Sequence, residues 1–465
     1  MLTGVSSPAP HPGLRPGARA PLALAALTAS FAAGVFGLPE RWAAGALVLS
    51  GLVWLATCAS LRKVELPRAL VWGGFVLLRG LAWSADAPTS PDAQRYAWEA
   101  EVWLAGFNPY VLAPDSAELA PLARELAELH ASVEHRSIPA VYPPLAQACF
   151  VLAVLAARAV DSLGLAEIEL ARSVALRLLA LLGDLAVALV LGRWLARRGV
   201  PRGAWLAWAW CPLVALEFAG AAHFDALGVA LALAALSPMA ERRPGWSAVL
   251  LAGAVAVKLL PVCFAAWLPR RASGRRPLVL FALAAALLLA PQAWSMRAAP
   301  GSSALATYAG WWETTSAVYT PLRALFETMW SGSLAGLEPQ HLARRVCVAL
   351  GAASLAAIVW RTRAPERGAL SVSTALIVLS PTFHPWYAAW LVAWIPLDTS
   401  ASTNERTSGL GAAAATLAAL APAQYVMLER WRAFGEWTAP VWLWPLMFAA
   451  PLGLLVRAGW LARAR

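Results

Sequence analysis

Apolar stretches of roughly 20 residues recur along the whole chain, separated by short polar segments. Because roughly 20 residues of α-helix cross the hydrocarbon core of a bilayer, each stretch predicts a transmembrane helix. The windows are 20–38, 42–60, 66–85, 144–160, 173–195, 204–220, 223–240, 246–268, 277–294, 342–360, 368–381, 385–398, 408–427 and 438–461. Some are short or interrupted, so the pattern predicts an all-α polytopic membrane protein with about 12–14 transmembrane segments.

The composition agrees with this fold class, because 60% of the residues are hydrophobic, 14% are charged and the mean hydropathy is +0.60. The net charge of +11 does not indicate nucleic-acid binding, since Arg and Lys cluster in short loops between the apolar windows. That placement is the positive-inside pattern and puts these loops in the cytoplasm. We expect a disordered cytoplasmic segment at 1–19 and one membrane domain at 20–465, with outer loops at 86–142 and 295–340.

The alternation of sides fails in one part of the chain. From the Arg275 loop to the C-terminus the sides alternate without conflict, whereas between Tyr142 and Arg271 they do not. A half-length or re-entrant segment removes the conflict, and 144–160 and 246–268 are both candidates. Irregular backbone within a membrane is tolerated where it is buried or lines a wet cavity, so this conflict is a first indication of a site.

The first outer loop is polar sequence within an apolar protein. Its groups able to bind a sugar or move a proton are Asp92, Arg95, Tyr96, Glu99, Asn108, Tyr110 and Tyr142. A helix over 93–105 aligns the first four of these along one face. Asp92 is either only the N-cap of this helix or the general base for a hydroxyl acceptor. Further along, 117–130 has the pattern of an amphipathic helix on the membrane surface.

Several ionisable residues lie in or beside apolar windows, where they are costly and commonly mark function. His223 and Asp225 begin one window, Lys258 interrupts another, and His384 lies beside Tyr387 in an outer turn. Each also has a structural interpretation: a helix-start cap, a lysine that snorkels to the interface, and an aromatic-belt anchor. Arg177 and Asp184, seven residues apart on one helical face, are expected to form a structural ion pair. The five cysteines lack metal-ligand spacing and are expected to be core residues.

Read in order, these segments resemble a known family. The sequence contains D-A-Q-R-Y-A-W-E followed by G-F-N-P-Y, then I-P-A-V-Y-P-P-L-A-Q, and later GAAHFDAL, VKLLP and SPTFHPWY. The order resembles bacterial GT-C-fold glycosyltransferases, in particular the polyprenyl-phosphate-mannose-dependent mannosyltransferase-like proteins of the glycosyltransferase 87 type. Two positions depart from that pattern: Pro91 replaces the first of a double acid, and Ala100 replaces a glycine. The resemblance extends over about residues 86–400.

The resemblance implies an integral enzyme of the bacterial plasma membrane. It would move a sugar, mannose by expectation, from a polyprenyl-phosphate carrier to an envelope glycan or lipid acceptor on the outer face, with inversion. Asp92 would be the general base. Arg95, Tyr96, Glu99, Asn108, Tyr110 and Tyr142 would shape the sugar and acceptor pocket. His223, Asp225, Lys258, His384 and Tyr387 would lie near the lipid phosphate.

Several expectations concern partners and alternatives. The sequence has no D-x-D nucleotide-sugar motif, which fits a lipid-linked donor, and we expect neither a cofactor nor a catalytic metal. The partners are the lipid-linked sugar, the acceptor and membrane lipid, with no nucleic acid. The alternative function is a transporter or flippase for a lipid-linked sugar. The large polar outer loop argues against it, as does the absence of similarly broken segments in two halves of the chain.

Overall fold

The computed structural model describes residues 16–37, 40–85, 90–237, 243–271, 274–297, 304–330, 338–398 and 405–463 of the 465-residue chain. Across these ranges the regular structure is helical and includes no strand. The predicted all-α class is therefore confirmed. The expected disorder at 1–19 falls mostly on residues 1–15, outside the described ranges, and a helix begins at Pro16.

Most of the described residues form α-helices, with short 3₁₀ and π-helical segments between some of them. The α-helices, α1 to α23 in chain order, are Pro16–Ala32, Glu40–Leu61, Arg68–Ser84, Asp92–Leu104, Ala120–Glu125, Ala127–Ser132, Pro144–Ser162, Ile168–Arg197, Leu206–Ala209, Pro212–Ala215, Asp225–Leu236, Pro244–Val257, Leu268–Arg271, Arg276–Arg297, Ala304–Trp311, Tyr319–Met329, Pro339–Arg361, Pro365–Leu379, Ala389–Val392, Ile395–Asp398, Glu405–Leu420, Tyr425–Phe434 and Leu443–Arg463. The 3₁₀ segments are Ala117–Leu119, Arg202–Trp205, Leu260–Trp267, Pro385–Ala388 and Ala421–Gln424, and the π-helical segments are Ala33–Gly37 and Leu216–Gly220. Helices that begin at Pro144, Pro244 and Pro339 use a residue whose missing N–H needs no partner in the first turn.

Some of these helices are long and apolar enough to cross a bilayer. By length and apolar composition, seven candidate spans occur among the described residues: Ala18–Phe36, Trp42–Leu61, Pro144–Ser162, Ile168–Arg197, Arg276–Arg297, Pro339–Arg361 and Gly409–Phe434. In Arg276–Arg297 and Pro339–Arg361 only 17% of the apolar window is buried inside the protein, so lipid must cover the rest. Several of the other apolar windows fold as shorter helices, which is why continuous spans are fewer than windows.

The region in which the sides failed to alternate contains two breaks. The helical segments Pro212–Gly220 and Asp225–Leu236 meet at a bend of 119°, and together they form at most one further span. The window 246–268 is also divided, because α12 ends at Val257 and Lys258 is extended (φ −152°, ψ 136°). In contrast, the other candidate, 144–160, forms the continuous helix α7. Polar residues occupy both breaks, with His223 in the first and Lys258 in the second.

A buried ion pair and its hydrogen bonds join α3, α8 and α9. Arg79 on α3 donates to both carboxylate oxygens of Asp184 on α8, at 2.8 and 3.1 Å, and to the carbonyl of Ala209 at 2.5 Å. Asp184 also accepts the indole N–H of Trp208 at 2.8 Å. The expected partner of Asp184 was therefore wrong: Arg177 instead donates to the carbonyl of Trp83. Heptad spacing put Arg177 and Asp184 on one face but could not reveal a third helix that supplies the cation.

The two outer-loop regions fold onto this bundle. The predicted helix over 117–130 consists of three short pieces, because Leu126 leaves the helical region of backbone space (φ −109°, ψ 47°). Their apolar side chains, including Leu119 and Leu129, pack in one cluster with Trp98 of α4. In the second region, Arg344 of α17 donates to the carbonyls of Ala309 and Trp312 at 3.1 and 2.8 Å. The ring centroids of His135 in the first region and Trp312 in the second lie 4.3 Å apart, so both regions reach the same part of the molecule.

Candidate active site

A cavity of about 610 Å³ lies where these elements meet. We call it the Asp92 cavity. Its wall includes Ser90, Asp92, Arg95, Glu134, His135, Tyr142, Lys258, Tyr308, Trp311, Trp312, Glu313, His384, Trp386, Tyr387, Trp390, Gln424, Tyr425, Trp431 and Trp437. Aromatic rings dominate the wall, and a small number of charged groups reach it. This is the usual composition of a small-molecule site.

Asp92 is the first residue of α4, so its side chain projects from the start of the helix. It makes no capping hydrogen bond, and Pro91 occupies the N-cap position. The carboxylate instead accepts a hydrogen bond from the Tyr142 hydroxyl at 3.4 Å, and its Oδ2 lies 3.4 Å from Nε2 of His223. Asp92 thus contacts groups from two other parts of the chain.

The protonation of Asp92 follows from these contacts. Its side chain is 31% exposed, and this surface opens into the cavity. Burial is the largest influence and alone raises the pKa of Asp92. The close contact with His223 and its charge, together with the hydrogen bond to Ser90, outweigh this effect of burial, so the pKa of Asp92 lies below its ordinary value. Asp92 is therefore a carboxylate at neutral pH.

The other predicted residues of α4 support the wall of the cavity and do not project freely into the cavity. Arg95 donates to Glu99 at 2.8 Å and to the carbonyls of Glu134, His135, Ile138 and Pro139. These acceptors use all five N–H groups of a guanidinium. Glu99 is buried and also accepts from Gln147 at 2.5 Å. Arg95 thereby fixes the backbone at 134–139, which carries cavity residues.

Tyr96, Asn108, Tyr110 and Tyr142 form a connected layer behind Asp92. The hydroxyls of Tyr96 and Tyr142 lie 3.4 Å apart, and the Tyr96 ring stacks on Phe150. Tyr110 donates to the carbonyl of Tyr142 at 2.9 Å, and its own N–H bonds to the Asn108 side chain at 3.0 Å. Of these four residues, the cavity lining includes only Tyr142.

A second group of polar and aromatic side chains surrounds Asp225. Its Oδ1 lies 2.5 Å from Nζ of Lys258 and accepts the indole N–H of Trp390 at 2.9 Å. Lys258 also lies 4.4 Å from the centre of the Tyr387 ring, in cation–π contact. Asp225 is buried, whereas Lys258 is 20% exposed and lines the cavity. The extended backbone at Lys258 is what releases this amine from the helix.

The two histidines meet on one indole. The imidazoles of His223 and His384 stack on the Trp386 ring, with centroid separations of 4.0 and 4.4 Å. His384 lines the cavity, and burial lowers its pKa to about 3. It is therefore a neutral ring that can donate or accept a hydrogen bond. His223 lies behind the wall, in contact with Asp92.

Sequence reasoning missed several residues of this site. Trp386 and Trp390 resembled aromatic-belt residues, and Tyr308, whose hydroxyl lies 2.5 Å from that of Tyr387, had no local signal. Glu134 and His135 line the cavity from the spacer of the first loop. His135 has a left-handed backbone (φ 52°), which is uncommon for a non-glycine residue. A positive φ cannot be detected from the sequence E-H-R-S.

Comparison with known proteins gives the chain a family. Residues 27–270 match the family model of the alpha-(1->6)-mannopyranosyltransferase N-terminal domain, MptA_B family. The chain belongs to this family. It is a membrane mannosyltransferase of the GT-C type, as its motifs indicated. A search of curated proteins finds no match.

The matched part of the mannosyltransferase contains most of the site residues that the sequence motifs predicted. Asp92, Tyr142, His223, Asp225 and Lys258 all lie within 27–270. His384 and Tyr387 lie beyond it, although the fold brings them to the same cavity. Among the described residues, no group of three His, Cys, Asp or Glu side chains has the arrangement of a metal site.

Proposed function

We propose that this mannosyltransferase takes mannose from a polyprenyl-phosphate carrier and transfers it, with inversion, to a glycan or lipid acceptor. The reaction would take place in the Asp92 cavity, at the outer face of a bacterial plasma membrane. The observation that carries the proposal is that one cavity presents an ionised carboxylate, Asp92, and an ammonium, Lys258, among aromatic rings. Such a pair suits a reaction that removes a proton at one point and releases an anion at another.

In the proposed step, the acceptor hydroxyl attacks the anomeric carbon of mannose from the face opposite the carrier. The new bond joins the acceptor oxygen to this carbon, and the bond between the carbon and the phosphate oxygen breaks. The acceptor proton passes to Asp92, and the electron pair of the broken bond leaves with polyprenyl phosphate. Because the pKa of Asp92 is low, we expect proton transfer late in the step, after the attacking oxygen has become acidic.

Lys258 and His384 would stabilise the departing phosphate. Lys258 lies at the cavity wall with Asp225 beneath it, so its ammonium is held in place while part of it stays accessible. His384 is neutral and can donate an N–H to a phosphate oxygen. Cationic and neutral donors fixed before reaction stabilise developing charge without reorganisation. The aromatic rings of Trp311, Trp431 and Trp437 would contact the sugar face or the prenyl chain.

The direct test is transfer of labelled mannose from polyprenyl-phosphate mannose in membranes that contain the protein. Wild-type membranes should form a labelled product with an inverted anomeric centre, as determined by NMR. The Asp92→Asn variant, at equal protein level, should lose roughly 100- to 10,000-fold in rate. A wild-type protein that never consumes the lipid-linked donor would contradict the proposal, and full activity in Asp92→Asn would contradict the role of Asp92. Label that crosses the membrane unreacted would favour a flippase.

A further inference from the structure

Four side chains, Asp92, His223, Glu217 and Tyr425, contact one another in turn, and the first and last of them line the Asp92 cavity. Nε2 of His223 lies 3.4 Å from Oδ2 of Asp92, and its Nδ1 lies 2.9 Å from Oε2 of Glu217. The Tyr425 hydroxyl contacts the other oxygen of Glu217. Both nitrogen–oxygen separations are within ion-pair range, although neither meets the angular criterion for a hydrogen bond. The imidazole therefore lies between two carboxylates.

The backbone is arranged to hold these contacts. Glu217 lies in the π-helical turn Leu216–Gly220, and the N–H of His223 bonds to the Glu217 carbonyl at 2.9 Å. Ala222, immediately before His223, has a left-handed conformation (φ 63°). This conformation strains an alanine, and such strain persists only where the surrounding structure imposes it. Strain and a π-helical turn beside a cavity are both typical of functional positions.

Glu217 is a buried acidic residue that pairs with the His223 imidazole. Its side chain is fully buried, where an isolated carboxylate is costly. In the described part of the chain, its ion-pair partner is His223, and no Arg or Lys reaches it. A buried imidazole between two carboxylates is stabilised in its cationic form. The ring is also held against Trp386 by stacking, so it has little freedom to turn.

We propose that Glu217 is a positioning residue for mannosyl transfer. It keeps His223 cationic, and this imidazolium fixes the Asp92 carboxylate in its ionised form and in one orientation. This inference rests on the proposed function, in which Asp92 receives the acceptor proton. Tyr425 holds the far oxygen of Glu217 and thereby sets the position of the carboxylate beside His223.

Other titratable groups also surround Asp92 and His223. They are Tyr96 and Glu99 on α4, Glu134, His135 and Tyr142 in the first loop, Asp225, Lys258, Tyr308, His384 and Tyr387. A change in Glu217 leaves all of these in place. A change in the pH profile that is specific to Glu217 variants therefore reports on the contacts of His223.

The kinetic test compares Glu217→Gln and Glu217→Asp with wild type, using polyprenyl-phosphate mannose and a short α-(1→6)-linked synthetic mannoside. We expect Glu217→Gln to lose roughly 10- to 100-fold in kcat, with little change in the acceptor KM. His223 should lose its proton at a lower pH once one carboxylate is gone. The rate of this variant should therefore fall with rising pH about one pH unit below the wild-type limb. Glu217→Asp should recover most of the rate.

Glu366→Gln is the matched control, since Glu366 is also buried and paired, with Arg198 at 2.6 Å, and lies outside the cavity lining. It should keep the wild-type kcat and pH profile per folded protein. Wild-type kinetics in Glu217→Gln would overturn the proposal. So would a loss explained wholly by a smaller folded fraction, measured by thermal unfolding in detergent. If Glu217→Gln does not fold, Tyr425→Phe replaces it, and a wild-type pH profile in Tyr425→Phe would overturn the proposal.

A second readout does not depend on activity. In protein labelled with ¹⁵N-histidine, the His223 ring signal is assigned by its loss in His223→Gln. It should show two protonated nitrogens in wild type at pH 7.5, and in a pH titration the Glu217→Gln variant should lose the ring proton about one pH unit below wild type. A neutral ring in wild type would overturn the proposal. If wild type consumes no lipid-linked donor, the proposed function fails, whereas the ring signal still decides whether Glu217 keeps His223 charged.

Discussion

Lys258 Nζ lies 2.5 Å from Oδ1 of Asp225, where the chain breaks after α12. Asp225 is buried at the start of α11, beyond the bend of 119°. The ion pair therefore joins the two irregular points of the bundle and brings the ammonium to the cavity. A lysine that only snorkels toward an interface would need no such partner. The contact contradicts the snorkelling interpretation, and the role of Lys258 at the donor phosphate stays a prediction.

Lys258→Met separates binding from folding when it is combined with a second change. Alone, it leaves Asp225 buried without its cation, which should destabilise the protein by about 3 kcal/mol. Lys258→Met with Asp225→Asn should recover most of this stability, because no buried charge is left unpaired. Transfer should nevertheless remain roughly 100-fold below wild type, since the phosphate has lost its cation. Thermal unfolding in detergent and the mannose-transfer assay measure the two effects.

Lys258→Arg is the control that keeps the positive charge but replaces the ammonium with a larger, planar guanidinium. It should fold and retain more activity than the double variant. A double variant with wild-type transfer rates would show that Lys258 serves the fold alone.

The pKa of Asp92 predicts an unusual acid limb in the rate profile. A carboxylate whose pKa is depressed stays ionised below the ordinary value of about 4, and its contribution to stability is lost only as the pH falls through the lower folded value. His384, whose pKa is about 3, is neutral in the same range. The transfer rate should therefore be constant between about pH 5 and 7. An acid limb with its midpoint inside this window would contradict the assignment of Asp92, provided that the folded fraction is constant.

The fold could largely be predicted from the sequence, but the pairing of charges could not. Hydropathy identifies the apolar helices, although several windows fold as shorter helices, and positive-inside counting identifies the region with irregular backbone, because both depend on local composition. The fold brings Asp92, Lys258 and His384 to one cavity, whereas His223 lies behind the cavity wall. In contrast, the partner of Asp184, the bend at 221–224 and the acceptors of Arg95 depend on contacts between distant helices. Periodicity along one helix carries no information about them.

Arg79 and Asp184 provide a test of stability alone. Both are buried, and the pair lies among α3, α8 and α9, outside the cavity lining. Asp184→Asn leaves the Arg79 guanidinium buried without its anion, so the free energy of unfolding should fall by about 3–5 kcal/mol. Arg177→Gln, which removes a bond to the Trp83 carbonyl and a cation–π contact with the Trp83 ring, should cost less. Thermal unfolding in detergent compares the two, and kcat per folded protein should remain at the wild-type value in both.

Arg95 provides a test of the first outer loop, because all of its N–H donors bond to protein groups. Its five N–H groups bond to Glu99 and to four carbonyls of 134–139, so a substrate has no free donor to use. Arg95→Lys keeps the charge, but it has three donors and no planar fork. The loop that carries Glu134 and His135 should loosen, and the acceptor KM should rise roughly tenfold while the donor KM stays near wild type. Equal increases in both KM values would instead indicate that Arg95 contacts the donor. Steady-state kinetics with each substrate varied in turn distinguish these outcomes, and Arg136→Lys, at a partly exposed arginine outside the cavity lining, is the matched control.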